Sequence, residues 1–362
     1  MDYGRILPCI QDTVLQNGAI SDGENMKRII YYIAVMLCIL IVLPLLIVRS
    51  CDMSPEAVRP GGAPKGLKIK VYMHQQKVVK EMDLEEYLYG VVAAEMPAEF
   101  EPEALKAQAV AARTYALGRY YGLYVPREDT HQGAAVCTDF AHCQAWVGKQ
   151  DAMKKWKVYL AAKYWSKIVQ AVKETRGVVI TYNGKLINPL FHSNSGGRTE
   201  NSEEVWSGTA EPYLRSVYSD GEEVSPEYKS VTLVGVKDFF SVLKKQYPNF
   251  KADQKHPLKE IKVLNYTTGG RIKDLQIGNI TLKGTEFRSL FSLRSANFSI
   301  SQENTETLKI TVLGNGHGAG MSQWGANAMA RNGALYGEIL KYYYTGVELT
   351  TLDKLQALAP VQ

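Results

Sequence analysis

The clearest helical pattern in the chain lies between Asp83 and Pro97. Leu84, Leu88, Val91 and Glu95 recur at i, i+4, i+7 and i+11, which puts all four on one face. Asp83 stands where an N-cap belongs, and Glu86 three residues later completes a capping-box pattern. Pro97 drives Met96 out of the helical region, so the helix is predicted to end at Glu95. A carboxylate therefore ends an apolar stripe. Burying it is costly unless it is paired or protonated, and protonation at pH 7 needs a pKa raised by about 2–3 units. An exposed Glu at a frayed helix end is the other reading.

The pattern predicts further elements. Leu67, Ile69, Val71 and Met73 alternate as a half-buried strand, and a turn near Gln75 leads to a second strand that runs into Asp83. Pro102 opens an Ala-rich helix over about 103–120, with Leu105, Ala109, Ala112 and Ala116 as a small-residue face. Lys106 and Arg113, seven apart, share another face: a solvated basic face, or a cationic wall beside Glu95. Residues 121–150 show no periodicity. A helix is predicted at about 161–174, then a strand at 178–181, an Asn183-Gly184 hairpin turn and a return strand over 185–191. A polar loop follows from His192 to Gly197. From about 216 to 301 a helix at 236–245 stands among strands at 261–266, 272–277 and 280–282. Residues 308–313 are expected to return to the first lobe as a strand. A glycine-rich run, 314–320, precedes a helix at about 321–332.

These elements predict an α+β fold: a two-lobed extracytoplasmic domain with a substrate groove between the lobes, preceded by one transmembrane helix. The main lobe comprises 67–215 and 302–355, and 216–301 form an inserted second lobe. The anchor is 29–48, 20 residues without a charge, flanked by Lys27-Arg28 and Arg49. As a helix it spans about 30 Å, enough for a bilayer core. Its length and the tail before it favour a retained anchor over a signal peptide. Residues 1–28 are then a cytoplasmic tail and 49–66, rich in Pro and Gly, a linker. Flanking charges leave the orientation open; a short tail inside with the large domain outside is the simpler arrangement. Arg49 makes the segment before Cys51 a poor lipidation match.

The net charge of +5 mildly favours anionic partners, and no basic run interleaved with aromatics points to nucleic acid. Of five cysteines, only Cys137 and Cys143 fall in the folded part, so no disulfide framework is implied. With His131 and His142 they lie in a 13-residue window. Two His and two Cys suit a closed, structural zinc site, without an open position for a catalytic water. A Cys137–Cys143 disulfide, or four unconnected residues, are the alternatives. The run around His317 lacks the Gly-Lys-Ser/Thr ending of a phosphate loop; its glycines let backbone approach a ligand, or form a turn with a surface His. No Gly-x-Ser-x-Gly elbow is present.

Three sets of residues together resemble the stage II sporulation protein D family: Ala93-Ala94-Glu95-Met96-Pro97 with the helix from Glu103 to Tyr115; His192-Ser193-Asn194-Ser195-Gly196-Gly197-Arg198-Thr199-Glu200; and Gly316-His317-Gly318-Ala319-Gly320-Met321-Ser322-Gln323-Trp324-Gly325-Ala326. The likeness runs in order from about 67 to 350. It implies a lytic transglycosylase that cleaves peptidoglycan strands already stripped of stem peptides, during engulfment of the forespore. It implies two partners, the amidase stage II sporulation protein P and the membrane scaffold stage II sporulation protein M, and a place in the cell membrane as a single-pass protein. The family's catalytic Glu falls on Glu95 and its basic helix residues on Lys106 and Arg113. A groove would be lined by these, by His192, Ser193, Ser195 and Gly196, and by His317 and Gln323. His131, Cys137, His142 and Cys143 match the zinc-carrying subgroup; no organic cofactor is implied. A related branch of amidase enhancers implies the rival role of a non-catalytic glycan-binding module.

Overall fold

The computed structural model describes residues 15–42, 66–124, 131–206, 208 and 210–356. The N-terminal unit is a helix, Leu15–Leu37, running into a π-helical turn, Cys38–Val42. Within it Asn25–Val42 is long and apolar enough to cross a membrane, and its apolar side chains are exposed. The helix starts well before residue 29, so part of the expected tail is helical; extending a formed helix is far easier than nucleating one. Residues 43–48 of the expected anchor, and 49–65 of the linker, lie outside the described residues.

The rest of the chain is α+β. Lys68–Met73 and Val78–Asp83 form an antiparallel hairpin, and Val136–Cys137 joins the other edge of Lys68–Met73 in parallel. That short strand has no periodic pattern of its own to reveal it. The hairpin leads directly into the helix Leu84–Glu95. Asp83 is its N-cap: the side chain accepts from the Glu85 and Glu86 N–H groups at 2.8 and 3.3 Å. Asp83→Ala is expected to cost about 1 kcal/mol, read as a lower denaturant midpoint. Met96 is extended (φ −121°, ψ 143°), so the helix ends at Glu95 as the following proline requires.

Behind this helix pack Pro102–Tyr120 and Val158–Glu174, with the strand Val178–Tyr182. Leu105, Ala109, Ala112 and Ala116 are all fully buried, so the small-residue face brings the long helix close to its neighbours. Gly90 allows another close approach, since a Cβ there would collide with the Trp146 indole. Asn183 and Gly184 both take positive φ (49° and 75°), as a tight hairpin turn needs. The return strand is only Lys185–Leu186, shorter than expected. Pro189 has no N–H for a ladder, and the chain crosses instead to pair Phe191–His192 in parallel with Met321–Ser322. The helix expected from 321 thus begins at Gln323, with Ser322 as its N-cap.

A second apolar cluster involves Phe239, Phe240, Leu275, Ile277 and Phe287. Two three-stranded antiparallel sheets contribute to it. One orders Ile280–Lys283, Ile272–Ile277 and Ile261–Tyr266; the other orders Phe298–Asn304, Thr307–Leu313 and Lys229–Gly235. Thr307–Leu313 was expected in the main lobe, but Leu308, Ile310 and Val312 are buried in this second cluster. Its partners on both sides belong here, and pairing, not chain order, decides where an alternating strand packs. A second helix, Gly284–Leu290, accompanies Val236–Gln246.

Candidate active site

Glu95 is half-buried at its helix end. Its Oε1 accepts the Ala145 N–H at 2.6 Å, and the Gln323 side chain donates a second hydrogen bond. Both bonds favour the anion. Burial opposes them and wins, raising the pKa to about 7. The carboxyl is therefore present in both protonation states near neutral pH, and the reading of an exposed Glu is excluded. Gln323 Nε2 also reaches Oε1 of Gln108, which is fully buried on the Pro102–Tyr120 helix. Ala145 is fixed from both sides. The adjacent Gln144 accepts from Tyr87 Oη, Trp146 lies over Gly90, and Val147 N–H donates to Gly90 O. Gln108 and Ala145 were not foreseen, and for Ala145 no sequence cue exists because the donor is backbone.

The two basic helix residues part company. Lys106 Nζ bridges Glu103 and Glu174 at 2.6 and 2.7 Å. Arg113 has no exposed surface: it grips Glu85 with Nε and Nη2 at 2.9 and 2.7 Å and donates to the carbonyls of Val178 and Val172. A shared groove wall is thereby corrected for Arg113. Spacing of seven places two residues on one face, but a partner 28 positions away in sequence decides what that face meets.

The two glycine-bearing loops are brought together. Asn194 pairs with Asn315 and Glu200 with Ala319, beside the Phe191–His192 and Met321–Ser322 strands. Ser195 is fully buried, with Oγ on the Glu222 carboxylate at 2.9 Å. The same carboxylate accepts the N–H groups of Ser195 and Gly196 at 2.9 Å and Gly197 at 3.4 Å, and the Ser219 hydroxyl. Ser195 Oγ and the Gly196 N–H are thus committed inside the protein, which corrects their expected use on a substrate. Ser193 is half-buried, and its carbonyl accepts from Trp324 N. Arg271 locks the loops from the second cluster, donating to the carbonyls of Ser195 and Arg198 and to Glu200 at 3.1 Å. A Cβ at Gly318 would collide with its guanidinium, and the positive φ of 89° there also suits glycine. His192 is buried and His317 half-buried; their rings stand 5.6 Å apart. Glu222 and Arg271 left no trace in the sequence pattern.

His131, Cys137, His142 and Cys143 converge: their donor atoms all lie within 4.8 Å of one another. Sulfur–nitrogen separations are 3.6 and 3.7 Å. A tetrahedral metal at about 2.3 Å from S and 2.0–2.1 Å from N gives about 3.5–3.6 Å, so the set fits. The imidazole nitrogens, 2.7 Å apart, need to open slightly. Both thiols are free, so the disulfide alternative is not realised. The hydrogen bond between the two thiols lowers the pKa of Cys143 and raises that of Cys137, so the pair shares one proton that a bound metal would displace. The four residues could hold a metal ion, and Cys143 stands two residues before the amide that binds Glu95.

The family model described as "SpoIID: Stage II sporulation protein" matches residues 72–182. The Stage II sporulation protein D of Bacillus subtilis (strain 168) is 35% identical over 348 residues, 91% of this chain and 97% of the relative. That of Bacillus amyloliquefaciens is 37% identical over 287 residues, 79% of this chain and 80% of the relative. The Amidase enhancer of Bacillus subtilis (strain 168) is 29% identical over 312 residues, 73% of this chain but 40% of the relative. By this likeness over most of its length, the chain belongs to the stage II sporulation protein D family.

Proposed function

We propose that this chain is a sporulation protein of the cell wall, and specifically a peptidoglycan lytic transglycosylase acting on glycan strands without stem peptides. The observation that carries this reading is Glu95, whose pKa of about 7 suits one group to give and then retrieve a proton. The protonated carboxyl donates to the glycosidic oxygen as the bond to the anomeric carbon breaks. The carboxylate then takes the proton of the muramic acid 6-hydroxyl as that oxygen attacks the same carbon. The product is a 1,6-anhydro end, no water is consumed, and Glu95 finishes protonated. Two-carboxylate glycosidases need a second acid to attack or to activate water; here the substrate supplies the nucleophile. Gln323 and Ala145 hold the carboxyl in place, and the strand runs along a groove between the two lobes, within reach of Lys106, Ser193 and His317.

Zinc is the metal this reading assigns to His131, Cys137, His142 and Cys143, where it would supply a cross-link. Cys143→Ser, or chelation, is expected to lower the thermal midpoint and to slow activity only as the fold loosens; immediate loss at an unchanged midpoint would argue for metal chemistry. On this reading the N-terminal apolar helix is a single-pass membrane anchor, the domain lies outside, and the partners are the amidase stage II sporulation protein P and the scaffold stage II sporulation protein M. The similarity to an amidase enhancer supports a second reading, a glycan-binding activator. Mass spectrometry of products from peptide-free strands separates the two. Anhydro-muramic ends released by the chain alone support the enzyme. Absence of product, with faster release by an added amidase, supports the activator.

A further inference from the structure

Val158 and Tyr159 are 93% and 75% exposed, side by side at the start of the helix Val158–Glu174. Neither serves that helix. Its N-cap is Lys157, which makes no side-chain cap bond, and no acid stands in the first turn. A helix start is stabilised by Ser, Thr, Asn or Asp at the cap and by carboxylates after it; a lysine there opposes the dipole, and Val is a weak helix former. Nor is the corner slack. The preceding helix, Lys149–Lys155, ends at Trp156, whose ring stands edge-on to Tyr164 at 5.7 Å. Lys157 O accepts the Leu160 and Ala161 N–H groups at 2.8 and 3.0 Å. The fold thus holds an apolar tip out in water, at a cost to the helix and with little gain to the core. Lysines collar this tip. Lys155, Lys157 and Lys163 are exposed and, among the described residues, stand in no ion pair; Lys163 lies one turn after Tyr159 on the same face. The acids nearby are engaged, Asp151 by Lys154 at 2.9 Å and Glu99 by the Tyr164 side chain.

A small-molecule or sugar site is concave and sets a few polar groups at fixed positions. Here flexible point charges surround a projecting aliphatic and phenolic tip, which fits a lipid surface with anionic headgroups. The ammonium groups meet the phosphates, while Val158 and the amphipathic Tyr159 enter the boundary between headgroups and acyl chains. We propose that the corner at 155–163 docks on an anionic lipid bilayer. This rests on the reading of the N-terminal helix as a membrane anchor, which keeps a bilayer within reach of the chain. Lys167, further along the same helix, donates to the carbonyls of Ala98 and Glu99 at 3.2 and 3.3 Å, in the turn just past Glu95. Docking would therefore hold the end of the domain that carries Glu95 close to the lipid surface.

The test is amide hydrogen exchange of the full chain in nanodiscs of phosphatidylcholine, alone or mixed with phosphatidylglycerol. With phosphatidylglycerol, exchange over 155–160 is expected to slow by about tenfold, and the slowing to vanish in about 1 M salt, where charges are screened beyond about 3 Å. Two double variants, Val158→Ser with Tyr159→Ser and Lys155→Glu with Lys157→Glu, should each lose this protection at an unchanged thermal midpoint, because all four side chains are exposed. Exchange no slower with phosphatidylglycerol than without it overturns the docking, as does protection that either double variant keeps. Protection that appears only when peptide-free glycan strands are added assigns the corner to the polymer and overturns it too. The anchor is judged separately, by whether the chain copurifies with the discs. A chain that stays out of them overturns the anchor reading, and the same lipids added as vesicles then decide the corner by the same comparison.

Discussion

Glu95→Gln is expected to cut the release of anhydro-ended products by about 10²- to 10⁴-fold, the usual contribution of a positioned acid or base. The amide keeps the shape of the protonated carboxyl and can still accept the Ala145 N–H, so folding should survive. Stability should in fact move the other way. The folded-state pKa of Glu95, about 7, lies above the unfolded value near 4.3, so the native chain binds more protons between those two limits. Its contribution is complete below the unfolded pKa and disappears as pH rises through 7. Glutamine does not ionise, so at pH 8 the variant should be more stable than the parent by about 1–3 kcal/mol, and at pH 4 the two should agree. Activity of the parent should fall as pH rises past 7, because the acid form is needed first. Product analysis and thermal midpoints at the two pH values test both halves. A variant that keeps full activity rules out the assignment, and one destabilised equally at both pH values rules out the raised pKa.

Arg113→Leu is the substitution with the largest expected effect on stability. It strands the Glu85 carboxylate with 10% of its side chain exposed and removes donors from the Val172 and Val178 carbonyls. Breaking a buried pair from one side typically costs about 3–5 kcal/mol, which for a domain of this size lowers the midpoint by about 6–15 °C. Glu85→Leu in the same chain should recover part of the loss, since an apolar pair leaves no charge unmatched. Arg113→Lys should fall between, because one ammonium cannot reproduce the two-pronged contact. An Arg113 variant with an unchanged midpoint and lost glycan turnover would reinstate it as a groove residue.

The Glu95 helix was legible because its determinants are local: an aspartate cap, a 3.6-residue period and a proline one residue past the stop. The His/Cys set was legible from residue type within a short window. What could not be read were partners set by tertiary contact. Arg113 and Lys106 share a face in sequence, yet Arg113 meets Glu85 in the core and Lys106 meets Glu174 near the surface. The strand from Thr307 to Leu313 alternates cleanly, but alternation does not say which sheet will take it. Glu222 acts on backbone N–H groups more than 20 residues away, and an isolated acidic residue carries no mark of that.

That carboxylate has a consequence for the conditions in which the loops keep their shape. Glu222 is fully buried, and the groups bonded to it are amides and hydroxyls, with no cation among them. Dissolved ions weaken attraction between exposed charges over about 8–10 Å, but they do not enter contacts of this kind. Surface pairs such as Lys68–Glu81 should loosen as ionic strength rises. The His192–Gly197 loop, held by these dipoles and by the buried Arg271, should keep its geometry in dilute buffer, in high salt and against a densely charged polymer alike.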